Sequence, residues 1–141
     1  MTRDEIVHLF DRRDELWASR DVEGLAALYS PDCKVTSPIF GDLRGRAAIE
    51  QSNTRLFESF PDWTLTGGEL IIDGHRVVQM FNVTATHVGE FMGLPGTGRK
   101  AQFQGVRIMT VADGLITAET RLYDFTLLLM QVGVLRGKPG H

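Results

Sequence analysis

A carboxylate at the end of an apolar row is the first feature of this sequence that could do chemistry. Between Leu115 and Gly133 the chain reads LITAETRLYDFTLLLMQVG. If the stretch begins as a strand, the two-residue period puts Ile116, Ala118, Thr120, Leu122 and Asp124 on one face. An acid in that position is costly unless it is paired or used, and general acid-base catalysis is one use. The other reading makes Asp124 the N-cap of a short helix from Phe125 to Val132 that Gly133 closes. Periodicity leaves both open.

Arg107 is the second such residue. A two-residue turn at Asp113-Gly114 sets Val111 opposite Ile116, Met109 opposite Ala118, Arg107 opposite Thr120, Gly105 opposite Leu122 and Phe103 opposite Asp124. In that register Arg107 and Asp124 share one apolar face, as a structural ion pair or as the walls of a polar site. A bulge at the turn would slip the register by one and bring Arg107 to Glu119 as a surface pair.

Other chemistries find less support. Gly93 and Gly98 have the separation of a phosphate loop, but the following positions lack its Lys and hydroxyl residue, and the segment joins two strands. It reads as a structured connection at the edge of a pocket. His8, His75, His87 and His141 have no partner at metal-ligand spacing, so no metal site is expected. The serines lack a nucleophile elbow, and Cys33 has no identifiable histidine neighbour. His87 shares strand phase with Phe81, Val83 and Ala85, which points it inward, either as a hydrogen-bonded core histidine or beside a ligand.

The elements that must position these residues follow from the pattern. Thr2 to Arg20 is an amphipathic helix with a Thr2-x-x-Glu5 capping box and an apolar stripe of Ile6, Leu9, Phe10, Leu16 and Trp17. Val22 to Tyr29 is a second helix capped by Asp21 and stopped at Ser30-Pro31. Cys33 to Ser37 is a short strand, and Gly41 to Gly45 a turn before a third helix, Arg46 to Phe60. Asn53 lies on that helix's apolar stripe with Ile49 and Phe57, so its amide needs a partner in the backbone or in a cavity. From Trp63 the period becomes alternating. Trp63 to Ile72 pairs with His75 to about Glu90, and Lys100 to Ala112 with Leu115 to Tyr123. Helices first and antiparallel strands after make an α+β fold, with helices over one face of a sheet.

A chain of 141 residues is one domain, here residues 1–141 with 136–141 as a flexible tail. A net charge of −3 without a basic stripe excludes a nucleic-acid footprint. The single cysteine fits a reducing compartment. There is no apolar signal core, and the run near Leu127 to Met130 is too short for a bilayer, so a cytoplasmic protein without membrane contact is expected. An apolar outward sheet face points to a homodimer.

Thr86-His87-Val88-Gly89-Glu90-Phe91, then Gly93-Leu94-Pro95 through Thr97-Gly98-Arg99, Asp113-Gly114, Tyr123-Asp124 and Gln131-Val132-Gly133 together resemble the SnoaL-like polyketide cyclase (ester cyclase) family. The layout of the helical first half agrees. The resemblance implies the cone-shaped nuclear transport factor 2-like fold, a curved antiparallel sheet wrapped around helices with a deep pocket. It also implies a pocket aspartate that performs the acid-base steps of an intramolecular aldol ring closure without metal or cofactor. Asp124 matches that aspartate by its place before Gln131-Val132-Gly133. The expected substrate-binding set is Asn53, His87, Arg107, Phe103, Leu122 and Trp17, around a small apolar carbonyl substrate.

In this mechanism Asp124, desolvated by Leu122 and Phe103, takes a proton from a carbon beside a carbonyl while Asn53, His87 or Arg107 stabilises the enolate. Two alternatives use the same fold. An epoxide hydrolase would need Asp124 to activate water and a second acid, and no second carboxylate is in phase. A non-catalytic small-molecule-binding module would leave Asp124 as a cap.

Overall fold

The computed structural model describes residues 1–137; Lys138 to His141, which hold most of the expected tail, lie outside the described residues. Helix α1 (Arg3–Ala18) starts at the expected capping box, in which Thr2 Oγ1 accepts from the Glu5 amide at 3.1 Å and Glu5 Oε1 from the Thr2 amide at 2.9 Å. Helix α2 (Val22–Ala27) is shorter than expected. Tyr29 already opens strand β1 (Tyr29–Ser37), and Ser30-Pro31 lies inside that strand. The proline is tolerated because the pairing of β1 is interrupted between Tyr29 and Lys34, where a missing N–H disturbs no ladder. Gly41 to Arg44, expected as a turn, is the edge strand β2 (Gly41–Arg44), folded back on β1 and tied by a Thr36 to Asp42 side-chain bond of 2.9 Å.

Helix α3 (Arg46–Ser59) is followed by β3 (Thr64–Asp73), β4 (Arg76–Thr86), β5 (Lys100–Ala112) and β6 (Leu115–Tyr123), and the described residues close with α4 (Phe125–Val132). The sheet order is β2-β1-β6-β5-β4-β3, antiparallel except where β1 runs parallel to β6. The α+β architecture is therefore as the pattern predicts: helices fill one face of a curved, unclosed sheet. No helix among the described residues is long and apolar enough to cross a membrane.

One detail of β6 decides what faces the interior. Asp113-Gly114 forms the expected turn, with both residues at positive φ, and Val111 pairs with Ile116. The next pair is Thr110 with Ala118, so Thr117 is an extra residue without a partner. This bulge reverses the phase of the strand beyond it. Arg107 therefore faces Arg121, not Thr120; Met109 faces Glu119; Gly105 faces Tyr123. The expected inward row of Ala118, Thr120, Leu122 and Asp124 is replaced by Glu119, Arg121 and Tyr123.

Two apolar clusters result. One gathers Ile6, Phe10, Val35, Val77, Met109 and Ile116; the other gathers Leu56, Phe60, Trp63, Phe81, Phe103 and Leu128. The strand register puts Val77 and Met109 in one cross-strand row and Phe81, Gly105 and Tyr123 in another, with Gln79, Arg107 and Arg121 between them. A polar layer thus runs through the middle of the cone.

Candidate functional site

The polar layer is assembled from five elements. Arg13 comes from α1, Tyr29 from β1, Gln79 and Arg107 from β4 and β5, and Glu119 and Arg121 from β6. Arg13 Nη2 donates to Tyr29 Oη at 2.7 Å and to Glu119 Oε2 at 3.1 Å. Tyr29 Oη donates to Glu119 Oε1 at 2.7 Å. Arg121 Nε pairs closely with Glu119 Oε2, and its Nη2 reaches Tyr29 Oη at 3.3 Å. Beside this cluster, Arg107 Nε and Nη2 both donate to Gln79 Oε1, at 2.9 and 2.6 Å, and Gln79 Nε2 donates to the Gly68 carbonyl at 2.9 Å. The amide has room because Gly67 has no side chain: a Cβ there would meet Gln79 Nε2 at 2.3 Å.

Burial alone would push the Glu119 carboxyl up, but Arg121, Arg13 and Arg107 outweigh it and hold it well below the usual carboxylate range. Burial would likewise lower Arg13 and Arg121, and the field of Glu119 raises both above the ordinary guanidinium value. Arg107 has no such partner. Burial, then Arg13, pull it down to about 9, so it is still charged at neutral pH. Asp14 on α1, exposed as a whole residue, has its carboxyl pushed up by partial burial against the pull of Arg107 and then Arg13.

A chamber opens against this layer. Arg13, Arg107 and Arg121 make its polar wall, and Trp17, Trp63, Phe40, Phe81 and Tyr123 supply aromatic faces. Its volume is about 30 Å³. Ile39, Phe40 and Leu56 also line a hollow of about 450 Å³, together with Arg55, Glu58, Glu90 and Met92. These shared residues border both a tight inner cell and a roomy outer one. Glu90, Phe91 and Met92, just ahead of the glycine-rich connection, edge the outer hollow, whereas the connection itself, Gly93 to Lys100, lines neither cavity.

The expected site residues divide. Trp17 and Arg107 line the chamber. Phe103 is buried one layer back, its ring 5.5 Å from Trp63 and 5.2 Å from Tyr123. Asn53 is buried in α3 but does not reach the chamber wall. His87 is fully buried among Phe60 and Phe91; its Nδ1 lies 3.0 Å from Thr97 Oγ1, and its Nε2 has no hydrogen-bond partner. Leu122 is 53% exposed on the outer face of the sheet, a direct result of the bulge. Asp124 is exposed as well. It caps α4 by accepting from the Leu127 amide at 2.9 Å, and it borders an outer hollow with Asn82, Gln102 and Gln104. The shared face of Arg107 and Asp124 does not exist in this register.

Residues not singled out from sequence make up most of the polar layer. Two of them carried a readable signal. Arg13 interrupts the α1 stripe between Phe10 and Leu16, and Gln79 interrupts the inward phase of Val77, Phe81 and Val83. From sequence Glu119 is expected only as a surface partner of Arg107 across a bulge. The bulge forms, but it buries Glu119 with Arg13, Tyr29 and Arg121 and sets Arg107 opposite Arg121, for which the sequence carried no signal.

A curved sheet closed by helices around an inner chamber is the nuclear transport factor 2-like class of fold. Similar solved structures include AclR from Streptomyces galilaeus, a proposed hydroxylase, at 26% identity over 96% of this chain and 100% of that one, TM-score 0.82. IdmH from Streptomyces antibioticus, a proposed polyketide cyclase, is 28% identical over 90% of this chain and 97% of its own, TM-score 0.76. TsrD from Streptomyces laurentii shares the fold at 22% identity, 96% and 99% coverage and TM-score 0.83. No curated protein matches the chain. Residues 8–132 match the SnoaL-like polyketide cyclase family, and the chain belongs to it.

Proposed function

We propose that the protein is a cyclase- or isomerase-type enzyme that polarises the carbonyl of a small, largely apolar substrate and moves a proton on the adjacent carbon. Family membership supports a cyclase or isomerase type of function. The observation that carries the assignment to this chamber is Arg107, a buried guanidinium that forms no ion pair among the described residues and sits in an aromatic-walled chamber. A guanidinium in that setting stabilises the negative charge an enolate develops.

Two carboxylates can take the proton. Asp14 has a carboxyl pushed up by partial burial against the pull of Arg107, which makes it a better base, but it is exposed and does not line the chamber. Asp124 directly follows Tyr123, a chamber residue, and has the family position before Gln131-Val132-Gly133. Its carboxylate is exposed and engaged with α4, so neither acid stands in the chamber wall and substitution separates the two. Glu119 is an unsuitable base because both its oxygens are held by Arg13, Tyr29 and Arg121. For the same reason it does not supply the second acid of an epoxide hydrolase.

Deuterium uptake at the carbon next to a simple ketone, followed by NMR in heavy water, tests this. Asn replacement of the working acid is expected to slow uptake by about 100- to 10,000-fold and replacement of the other to retain it. Loss in Asp14→Asn alone would assign Asp14, loss in Asp124→Asn alone would assign Asp124, and wild-type uptake no faster than buffer would leave only a binding module.

We further propose a homodimer through the outer sheet face. Met80, Val106 and Leu122 form one cross-strand row there, flanked by Ile71, Val78 and Ile108; Met80 is 65% exposed. Sedimentation is expected to show a dimer that Met80→Lys dissociates; a wild-type species of 15.7 kDa alone would refute it.

A further inference from the structure

The charge of the ligand can be read from the chamber wall. Three guanidiniums line it, and the carboxylate packed among them, Glu119, is engaged at both oxygens. Arg107 and Arg121 are direct cross-strand partners on the buried face. Like charges at opposed positions of a sheet repel, and here only Arg121 has a carboxylate to offset it. Arg107 spends one edge of its fork on a neutral amide, that of Gln79. Nη1 of Arg107 and Nη1 of Arg121 have no hydrogen-bond partner among the described residues and are not fully buried, and both residues line the chamber. A guanidinium fork matches a planar, two-oxygen anion in geometry as well as charge.

We propose that the chamber takes an acidic carbonyl compound bound as its planar oxyanion, a carboxylate or the enolate of a 1,3-dicarbonyl, held between Arg107 and Arg121. This rests on the chamber being the substrate site. A neutral ketone in the same place leaves the two guanidiniums repelling each other; an oxyanion between them turns that repulsion into two charge-assisted contacts. The hydrocarbon part lies against Trp17, Trp63 and Phe40, whose flat faces suit a planar skeleton. A ligand larger than the inner cell displaces Ile39, Phe40 or Leu56, the residues it shares with the outer hollow.

Trp17 and Trp63 are the two tryptophans of the chain, and both line the chamber, so their fluorescence reports its occupancy. The protein is titrated with benzoate against benzamide, and with 1,3-cyclohexanedione, an enolate at neutral pH, against cyclohexanone. At least one anion is expected to bind about 10-fold or more tightly than its neutral counterpart. Arg107→Gln is expected to remove that preference. A preference confined to benzoate assigns a carboxylate, and one confined to the dione an enolate. Equal affinity for anions and neutral compounds overturns the proposal while leaving the chamber as a carbonyl site. Silence of the tryptophans toward all of these compounds overturns both. If circular dichroism shows that Arg107→Gln does not fold, the wild-type comparison still decides, and Arg107→Lys supplies the variant: a weaker preference supports the fork, and an unchanged anion affinity overturns it.

Discussion

Glu119→Gln is expected to destabilise the protein by about 3–5 kcal/mol, the usual cost of removing one partner from a buried ion pair. Glu119 is 2% exposed and accepts from Arg13, Tyr29 and Arg121, so its loss leaves three guanidiniums facing each other with no charge between them. In a domain of this size that corresponds to a melting point lower by on the order of 10 °C. The effect has a defined pH dependence. In the unfolded chain Glu119 titrates near the ordinary value of about 4.3, whereas in the fold its value is depressed by the arginines. A depressed carboxylate stabilises the fold above the unfolded value, and the contribution fades as pH falls from there toward the folded value. The gap between wild type and variant in urea unfolding is therefore expected to be full at pH 7 and smaller at pH 3. An equal gap at both pH values would show that the lost stability is packing, not charge.

Arg107→Met is expected to do the opposite to stability and more to activity. Deuterium uptake by a bound ketone is expected to fall by about 100- to 1,000-fold, the effect of removing one donor aimed at a developing oxyanion. Stability is expected to hold or rise, because the side chain removed is a buried charge without an ionic partner among the described residues, and a flexible apolar residue of similar length fills its place. Gln79 keeps its bond to the Gly68 carbonyl in the variant, which limits the loss to one acceptor. Kinetics and a thermal melt on the same preparation check both halves. A variant that loses stability and activity together would mark Arg107 as a structural residue.

The contrast between these neighbours explains how far the sequence could be read. Elements whose signals are local were legible: the Thr2-x-x-Glu5 box, the Asp113-Gly114 turn, and the Asp124 to Gly133 helix with its left-handed cap all appear where their residues predict. Strand β2 was hidden because a glycine and an aspartate read as a turn, while its pairing is set by a distant partner. The chamber was hidden for a different reason. Its polar wall depends on the phase of β6, and Thr117 changes that phase through a backbone irregularity that no side chain announces. Arg107 was placed inward correctly because β5 is regular, yet its neighbours were misassigned because β6 is not. Asp124 had two readings, and the cap is what its geometry shows, with its carboxylate on the Leu127 amide.

The Thr117 bulge acts like a frameshift written in geometry. Read in one phase, the segment from Ala118 to Tyr123 would offer the interior an alanine, a threonine and a leucine; read in the other, it offers a glutamate, an arginine and a tyrosine. Pairing Thr117 into the ladder would exchange these two interiors without altering any letter of the chain. An oily cell and an ionic one are therefore neighbours in register, separated by one backbone irregularity instead of a series of substitutions. A fold with such a junction beside its chamber can change the kind of molecule it accepts in a single step.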